Sequence, residues 1–487
     1  MNNIIGRSRE QITLTEAFDS EKAEFIAIYG RRRIGKTYLI HNYFVNRECI
    51  YFHMVGTQND HMSTQLEHFT KELSRIFYNE EPIQVAKSWS EAFERLNKAI
   101  EIRNKIQQQK IVIFFDELPW IATPKSKFLE SLEYIWNRFW SNMPYLKLII
   151  CGSSASWIIK KIINNKGGLH NRVTETIILR PFLLSETKKY LDSLGCKYNT
   201  QQILEIYMAV GGVPFYLQNI KKNLSAMQNI NNMCFRPDGM LFDEFNKLFN
   251  SLYNNPEEYI EIIRVIAKTK SGISRSKLES ECKLSNKGGS FSEKLKSLED
   301  AGFILSFLPF KHEQRGIFYK VIDEYSLFYL HWIEEEHTTL LKVEVDNTYW
   351  QDKYKTPSWY SWSGYAFESV CYKHLNIIRK TLDIPNDSKA STWQYTSKNT
   401  KESGAQIDLL FDRKDQTCTL CEIKYTNEPF VITKEYAKNL LNKEDIFIKQ
   451  TKTKKIIFIA LISSSGLKEN INSYGLISAL VTAEDLF

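Results

Sequence analysis

A glycine-bounded loop near the start of the chain has the residue types and spacing needed to hold a phosphate chain. The stretch GRRRIGKT satisfies the GxxxxGK[ST] pattern at every fixed position. Its glycines let the backbone turn N–H groups toward phosphate oxygens. Lys36 can reach the β- and γ-phosphates of ATP, and the Thr37 hydroxyl can ligate Mg²⁺. The residues expected to contact ATP are Gly30, Arg31, Arg32, Arg33, Ile34, Gly35, Lys36 and Thr37.

Two adjacent carboxylates follow an apolar run of strand type, IVIFF. Asp116 and Glu117 come at its carboxyl end, where parallel sheets gather their ligands. We expect Asp116 to hold Mg²⁺ through water and Glu117 to orient and polarise the attacking water. A solvated turn is the alternative reading of such a pair.

Other polar residues follow the next predicted strands. Ser153 and Ser154 come after the apolar run 146–151, where a hydroxyl can sense the γ-phosphate or position water. Arg172 precedes a predicted strand at 176–179, and it can stabilise transition-state charge in cis or from a neighbouring subunit. A plain turn and an ordinary surface arginine are the alternatives.

A second set of chemical residues lies near the carboxyl end of the chain. Glu422 and Lys424 are two apart in a predicted strand and therefore share a face. A hairpin with the strand at 406–411 can bring Asp408 to the same side. Two carboxylates can bind Mg²⁺ or Mn²⁺, and Lys424 can orient a water for attack on a phosphodiester. A solvated strand face is the alternative.

The elements that must position these residues are predicted strands, each followed by a polar loop and a helix. The length of 487 residues suggests about three domains. The net charge of +7 permits contact with nucleic acid without requiring it. The sequence has no apolar run of membrane-spanning length, no signal-peptide pattern and only scattered cysteines, so we expect a cytoplasmic protein with reduced thiols.

The middle of the chain, at 257–310, reads helix, turn, helix, turn, helix, strand, which is the order of a winged helix. Four lysines near its third predicted helix can meet phosphate, although nearby acidic residues dilute that charge. These lysines are Lys283, Lys287, Lys294 and Lys296. A packing module without nucleic-acid contact is the alternative.

The stretches IGR, YGRRRIGKT, FFDELPW and CGSSASW resemble the archaeal-type ATPases, a P-loop family close to the AAA+ and STAND groups. The resemblance implies that Glu117 is the catalytic base and that Ser153 or Ser154 is the sensor-1 residue. It also implies a helical lid after the nucleotide core. Within that lid, Gly-Gly-Val-Pro ending at Pro214 resembles the element that contacts adenine in STAND proteins, whereas by itself it is a helix break.

The last part of the chain resembles the PD-(D/E)xK nuclease superfamily, whose restriction-endonuclease-like core it would share. Glu368 matches the helix glutamate, Asp408 the metal-binding aspartate, and Glu422 with Lys424 the E-x-K pair. The sequence departs from the pattern because Ile407, not proline, precedes Asp408.

We therefore predict an α/β protein in which ATP binding and hydrolysis control a nuclease-like domain acting on nucleic acid, with DNA favoured. The alternative is a STAND-like regulatory switch whose C-terminal domain is inactive and binds a partner or nucleic acid. A nucleotide-dependent homo-oligomer fits both, and neither involves a membrane. The predicted parts are a P-loop ATPase core with a parallel sheet (1–180), a helical lid (181–250), a winged-helix-like module (251–340), a linker (341–357) and a restriction-endonuclease-like α/β domain (358–487).

Overall fold

The computed structural model describes residues 4–164, 167–169, 171–284, 288–311, 316–342, 348–397 and 404–487. The chain divides into two compact units, the first ending at Arg180 and the second beginning at Pro181. Within the described ranges, no helix has both the length and the apolar character that a membrane crossing needs.

The first unit is built on a five-stranded parallel sheet in the order β2-β3-β4-β1-β5. Its strands are β1 (Glu24–Tyr29), β2 (Cys49–Val55), β3 (Lys110–Asp116), β4 (Leu146–Gly152) and β5 (Glu175–Ile178). Its helices are α1 (Ser8–Asp19), α2 (Lys36–Phe44), α3 (Met62–Phe77), α4 (Trp89–Gln107), α5 (Leu118–Ile121), α6 (Phe128–Arg138) and α7 (Ala155–Ile158).

Both faces of this sheet are covered, which explains why its central strands are apolar throughout. Alternate residues of β3 belong to different cores: Ile113 and Phe115 pack with α3, α4 and α6, whereas Val112 and Phe114 pack with α1 and α2. Because all five strands are parallel, their carboxyl ends lie at the same edge of the sheet. That edge carries the loop before α2 and the carboxylates at the end of β3.

The second unit begins with helices and contains a small antiparallel sheet in the order β6-β8-β7. Its first helices are α8 (Leu184–Ser193), α9 (Thr200–Val210), α10 (Pro214–Leu217), α11 (Ala226–Cys234), α12 (Glu244–Leu252) and α13 (Pro256–Ala267). The small sheet and the helices around it are β6 (Ile273–Ser274), α14 (Arg275–Glu281), α15 (Gly289–Asp300), β7 (Ile304–Phe307), β8 (Phe318–Val321), α16 (Glu324–Phe328) and α17 (His337–Leu340).

The last part of the second unit contains a mixed five-stranded sheet in the order β15-β13-β11-β10-β9. Strands β9, β10 and β11 pair antiparallel, whereas β11, β13 and β15 pair parallel. The elements here are α18 (Tyr349–Lys353), α19 (Pro357–Lys373), α20 (Leu375–Thr381), β9 (Lys389–Tyr395), β10 (Ala405–Asp412), β11 (Thr417–Lys424), β12 (Phe430–Val431), α21 (Lys434–Thr451), β13 (Ile456–Ser463), β14 (Leu467–Lys468) and β15 (Ala479–Thr482).

A single hydrophobic core extends from Phe182 to Leu486 and joins the lid helices, the small sheet and the mixed sheet. Trp350, inside the segment predicted as a linker, is buried in this core, and its N–H donates to Asn231 Oδ1 at 2.9 Å. The lid, winged-helix and linker boundaries remain predictions. The three segments nevertheless pack as one compact unit.

Candidate functional site

The glycine-bounded loop joins β1 to α2, as its sequence requires. Gly35 has φ 85° and precedes the first residue of α2, so the helix N-terminus opens directly onto the loop. Gly30 has φ 156°, and a Cβ there would lie 2.1 Å from the carbonyl oxygen of Leu179. Only glycine fits this turn. The loop therefore forms a backbone cradle of the kind that phosphate binding needs.

Lys36 lies inside this cradle and is buried. Its Nζ donates to the carbonyl oxygens of Gly30 at 3.0 Å and Arg31 at 2.9 Å. A third bond, of 3.1 Å, goes to the hydroxyl oxygen of Ser153. The ammonium group is thus held over the loop by groups that a phosphate oxygen can replace.

Asp116 lies beside the loop at the end of β3. The Thr37 hydroxyl donates to Asp116 Oδ2 at 2.5 Å, and the N–H of Glu117 donates to Oδ1 at 2.8 Å. One hydroxyl and one buried carboxylate are therefore in contact, which is the oxygen-rich donor set that Mg²⁺ prefers. Thr37 and Asp116, each of which the sequence predicts to take part in holding Mg²⁺, are therefore adjacent.

Glu117 adopts a left-handed backbone conformation, with φ 48°. This turn directs its carboxylate toward the tip of β4. There the Ser153 hydroxyl donates to Oε1 at 2.5 Å and the Ser153 N–H donates to Oε2 at 3.2 Å. A non-glycine residue in this region stores strain, a common feature of functional sites. Ser153 consequently contacts both Lys36 and Glu117.

Two further residues lie near the loop: Arg7, from the IGR stretch noted in the sequence, and His53, which was not identified from the sequence. Arg7 is buried, and its guanidinium donates to the carbonyl oxygens of Ile34 at 3.2 Å and Arg180 at 2.6 Å. His53 on β2 lies with Nε2 4.0 Å from Asp116 Oδ2. Burial lowers the pKa of His53, and the Asp116 carboxylate partly offsets this. The sequence does contain a signal for His53, because a histidine interrupts an otherwise apolar strand.

The remaining predicted residues of the first unit lie farther from this contact network. Ser154 is the residue preceding α7 and makes no capping bond with its side chain. Arg172 is exposed. Arg32 lies over the Trp120 ring, with 5.8 Å between its Cζ and the ring centroid. Pro214 belongs to the second unit, where it begins α10, so its predicted adenine contact stays a prediction.

The first unit thus fits a nucleoside triphosphate with Mg²⁺. The cradle that a Cβ at Gly30 would fill, the buried ammonium of Lys36 and the contact between Thr37 and Asp116 are each suited to one part of that ligand. Lys36 would hold phosphate oxygens, and Thr37 with Asp116 would hold the metal, directly or through water.

In the C-terminal sheet, Asp408 lies at an irregular point of β10. The pairing with β9 shifts register between Ile407 and Leu410, so Asp408 lies within a bulge. Its Oδ2 accepts from the N–H of Ile423 at 3.2 Å. Burial and the charges of Glu422 and Glu368 raise the pKa of Asp408 to about 7. A carboxyl group under such negative potential is a candidate cation ligand.

Glu422 is buried and is fully engaged by neighbouring donors. Lys424 Nζ lies 2.9 Å from Oε1, and Lys443 Nζ lies 2.8 Å from Oε2. The Tyr436 hydroxyl also donates to Oε1 at 2.5 Å. Although burial alone would raise it, the two ammonium groups lower the pKa of Glu422. Lys443 and Tyr436 lie on α21 and were not identified from the sequence.

Glu368 lies in α19, which begins at Pro357, so it is past the middle of its helix. Lys320 of β8 donates to Glu368 Oε1 at 2.9 Å and is almost completely buried. The three predicted carboxylates, Glu368, Asp408 and Glu422, thus lie around the same part of β10 and β11. Even so, among the residues with described positions no group of three histidine, cysteine, aspartate or glutamate side chains is arranged to hold a metal ion.

The lysines of the predicted winged helix are largely paired. Lys294 is mostly buried and forms a salt bridge of 3.2 Å with Glu258. Lys296 forms one of 2.8 Å with Asp300. Lys287 lies outside the described residues. The two ion pairs are typical of a packing role for the third helix, α15.

Comparison with known proteins locates a family in the first part of the chain. Residues 5–220 match the model of an ATPase domain predominantly from Archaea. Over 447 residues, the chain is 26% identical to the uncharacterized protein MJECL04 of Methanocaldococcus jannaschii, covering 91% of this chain and 92% of that protein.

Two solved structures are similar over about two thirds of the chain. The Walker-type ATPase of Pyrococcus abyssi gives a TM-score of 0.48 at 18% identity, covering 67% of this chain and 96% of its own. The ORC2 protein of Aeropyrum pernix gives 0.41 at 14% identity, covering 70% and 97%. Residues 5–220 are thus similar to an ATPase domain predominantly from Archaea, and their glycine-bounded loop has the backbone geometry of a P-loop.

Proposed function

We propose that this ATPase couples its nucleotide state to a metal-dependent, nuclease-like site on the C-terminal sheet, acting on nucleic acid and favouring DNA. One observation carries the proposal: Asp408 lines the same pocket as Glu368, and it accepts from the N–H of Ile423, the residue that follows Glu422 in β11. Carboxyl groups arranged in this way attract a divalent cation, and phosphodiester attack uses one.

In the ATPase domain, Lys36 would hold the β- and γ-phosphates while the helix N-terminus supplies further N–H donors. Mg²⁺ bound by Thr37 and Asp116 would neutralise phosphate charge. Glu117 would accept a proton from the attacking water, and Ser153 keeps its carboxylate oriented. Arg172 remains the proposed source of an additional positive charge.

In the C-terminal domain, the order of elements supports the nuclease-like reading. The helix carrying Glu368 precedes three antiparallel strands, a helix and then a parallel strand. Asp408 and Glu422 would hold Mg²⁺ or Mn²⁺, and Lys424 would orient the water that attacks phosphorus. Lys443 would have to leave Glu422 when the cation binds, because both contact that carboxylate.

A second candidate function is a nucleotide-dependent switch without nuclease activity. It is supported by the hydrogen bonds and ion pairs that already occupy both carboxylate oxygens of Glu422. Its oxygens already receive bonds from Lys424, Lys443 and Tyr436. Glu368 is likewise neutralised by Lys320. A carboxylate with such partners can serve a structural role alone. In this case the C-terminal domain binds a partner, and ATP controls conformation or a homo-oligomer.

The first experiment separates these functions. The full chain is incubated with ATP on plasmid, linear DNA and RNA, with Mg²⁺ or Mn²⁺, and nucleic-acid cleavage is measured together with phosphate release. We expect DNA cleavage that disappears in Lys424→Ala, while ATP hydrolysis is kept. Lys438→Ala, an exposed lysine on α21, is the matched control and should cut like the wild type.

Cleavage by Lys424→Ala at the wild-type rate would refute the proposed role of that lysine. No cleavage by the wild type with either metal, despite active ATP hydrolysis, would favour the switch.

The second experiment tests the ATPase site by itself. In Glu117→Gln the amide can still accept a bond from Ser153 but cannot take a proton, so ATP should bind with nearly wild-type affinity while turnover falls at least about 100-fold. Calorimetry measures the binding and phosphate release measures the turnover. Unchanged turnover would show that Glu117 is not the general base.

A further inference from the structure

A pocket of about 230 Å³ opens between the β9–β10 hairpin and the small antiparallel sheet of the same unit. One wall comes from the hairpin and another from Pro309 and Phe318, which flank the small sheet. Its volume is below the roughly 300 Å³ at which pockets for drug-sized ligands begin. A single small planar group is therefore the largest occupant to consider.

The hairpin side of this pocket is polar. Thr392 and Gln394 alternate along β9 and therefore share a face. Gln406 of β10 pairs directly with Gln394, so the two amide side chains are neighbours. Gln406 Nε2 donates to Asp408 Oδ1 at 3.4 Å. This side thus presents two amides and a carboxylate within a few ångströms.

The other side carries an aromatic ring and a second carboxylate. Phe318 and Lys320 are two apart on β8 and share a face, and Phe318 lines the pocket. Lys320 is bonded to Glu368, which also lines the pocket. The ion pair links α19 to β8, so Glu368 and the Phe318 ring are held on connected elements.

These walls select a nucleobase over other parts of a nucleic acid. No lining residue that the structure describes carries a positive charge, and Lys320 is already bonded to Glu368, so a phosphate finds no cation in the pocket. A base offers a flat face for Phe318 and an edge for the amides, the combination by which unstacked bases are recognised. An oxygen of Asp408 or Glu368 can accept a hydrogen bond from an exocyclic amino group, which thymine and uracil lack.

We infer that this pocket receives one unstacked, amino-bearing base of a single-stranded nucleic acid and thereby selects the nucleotide next to the Asp408 site. The inference rests on the proposed function, because Asp408 belongs to both the pocket and the proposed metal site. It adds a substrate class, namely strands whose bases are unpaired near the reacting phosphate.

The test uses fluorescence anisotropy to measure the affinity of the full Lys424→Ala chain for single-stranded oligonucleotides in the presence of Ca²⁺. One probe is a single-stranded oligothymidylate, and the other is the same oligonucleotide with one central guanine. We expect the guanine probe to bind about tenfold more tightly, because a well-placed polar contact to a base contributes on the order of 1.4 kcal/mol. Adding Gln394→Leu should remove this preference.

Gln450→Leu, an exposed glutamine of α21 outside the pocket, is the matched control and should keep the preference. Equal affinity for both probes, or a preference that survives Gln394→Leu, would overturn the inference. Free dGMP binding as tightly as the guanine probe would also overturn it, because the pocket would then serve a free nucleotide. Wild-type cleavage without any base preference removes the pocket inference alone, whereas absence of both cleavage and nucleic-acid binding removes the proposed function as well.

Discussion

His374 provides a pH-dependent contribution to the stability of the second unit. It is 1% exposed, its Nε2 accepts from the N–H of Leu184 at 3.1 Å, and its Nδ1 bonds to the carbonyl oxygen of Val370 at 2.8 Å. Only a neutral ring can accept from Leu184 while donating to Val370. Burial accordingly lowers the pKa of His374 from 6.5 to about 4.

The direction and size of the effect on the free energy of unfolding follow from the difference in proton binding between the folded and unfolded chains. Between pH 6.5 and about pH 4 the unfolded chain binds this proton and the folded chain does not, so stability falls as the pH drops through this window. The difference between 6.5 and about 4 amounts to about 3.4 kcal/mol at about 1.36 kcal/mol per pH unit. By pH 5, about 2 kcal/mol of this should already be lost.

The perturbation is His374→Gln, which keeps an acceptor and a donor but does not titrate. Hydrogen exchange of α8, measured by mass spectrometry between pH 7.5 and 5 and corrected for intrinsic rates, gives the opening free energy. We expect the variant to be about 1–3 kcal/mol less stable at pH 7.5, because its geometry leaves Leu184 poorly bonded. Its pH profile should be flatter than the wild-type profile by about 2 kcal/mol.

His68→Gln, at an exposed histidine of the first unit, is the control and should reproduce the wild-type slope. Parallel profiles for wild type and His374→Gln would refute the reasoning, since they would mean that His374 does not titrate differently in the two states.

Three further predictions concern single side chains. Gly30→Ala places a methyl group 2.1 Å from a carbonyl oxygen and should abolish ATP binding in calorimetry, whereas Gly364→Ala, with nothing within 4 Å, should bind ATP normally. Ser153→Ala removes the bonds to Lys36 and Glu117 and should lower ATP turnover about tenfold or more, with a smaller change in affinity. Lys443→Met frees one oxygen of Glu422 and should strengthen Mn²⁺ binding in titration calorimetry; unchanged binding would count against the proposed metal site.

Sequence reasoning worked best where the signal is local. The strand, loop and helix around Lys36 are contiguous, and glycine positions fix the turn, so the pattern alone predicted the geometry. The polar stretch from 64 to 108, whose apolar residues recur at helical spacing, forms two helices, α3 and α4. Pro82 explains the break, because it cannot continue a helix, and Asn79 and Glu80 before it have positive φ.

Contacts between distant segments could not be read from the chain. Lys320 and Glu368 are 48 positions apart, and neither carries a pattern that names its partner. The bulge at Asp408 likewise reverses the alternation of β10, because Ile407 packs in one core whereas Leu409 and Phe411 pack in another. The sequence therefore indicated which residues could do chemistry but not which cations already neutralise them.

The hydroxyl of Ser153 has one proton, and that proton points at Glu117 while the oxygen receives the ammonium of Lys36. The ammonium of Lys36, the hydroxyl of Ser153 and the carboxylate of Glu117 therefore form one hydrogen-bonded chain that begins at the loop. In the proposed mechanism, a phosphate oxygen that attracted the ammonium would weaken the polarisation of that hydroxyl, and Glu117 would become a stronger proton acceptor when the loop is filled. Nucleotide binding and activation of the proposed base would thus be coupled through the Ser153 hydroxyl.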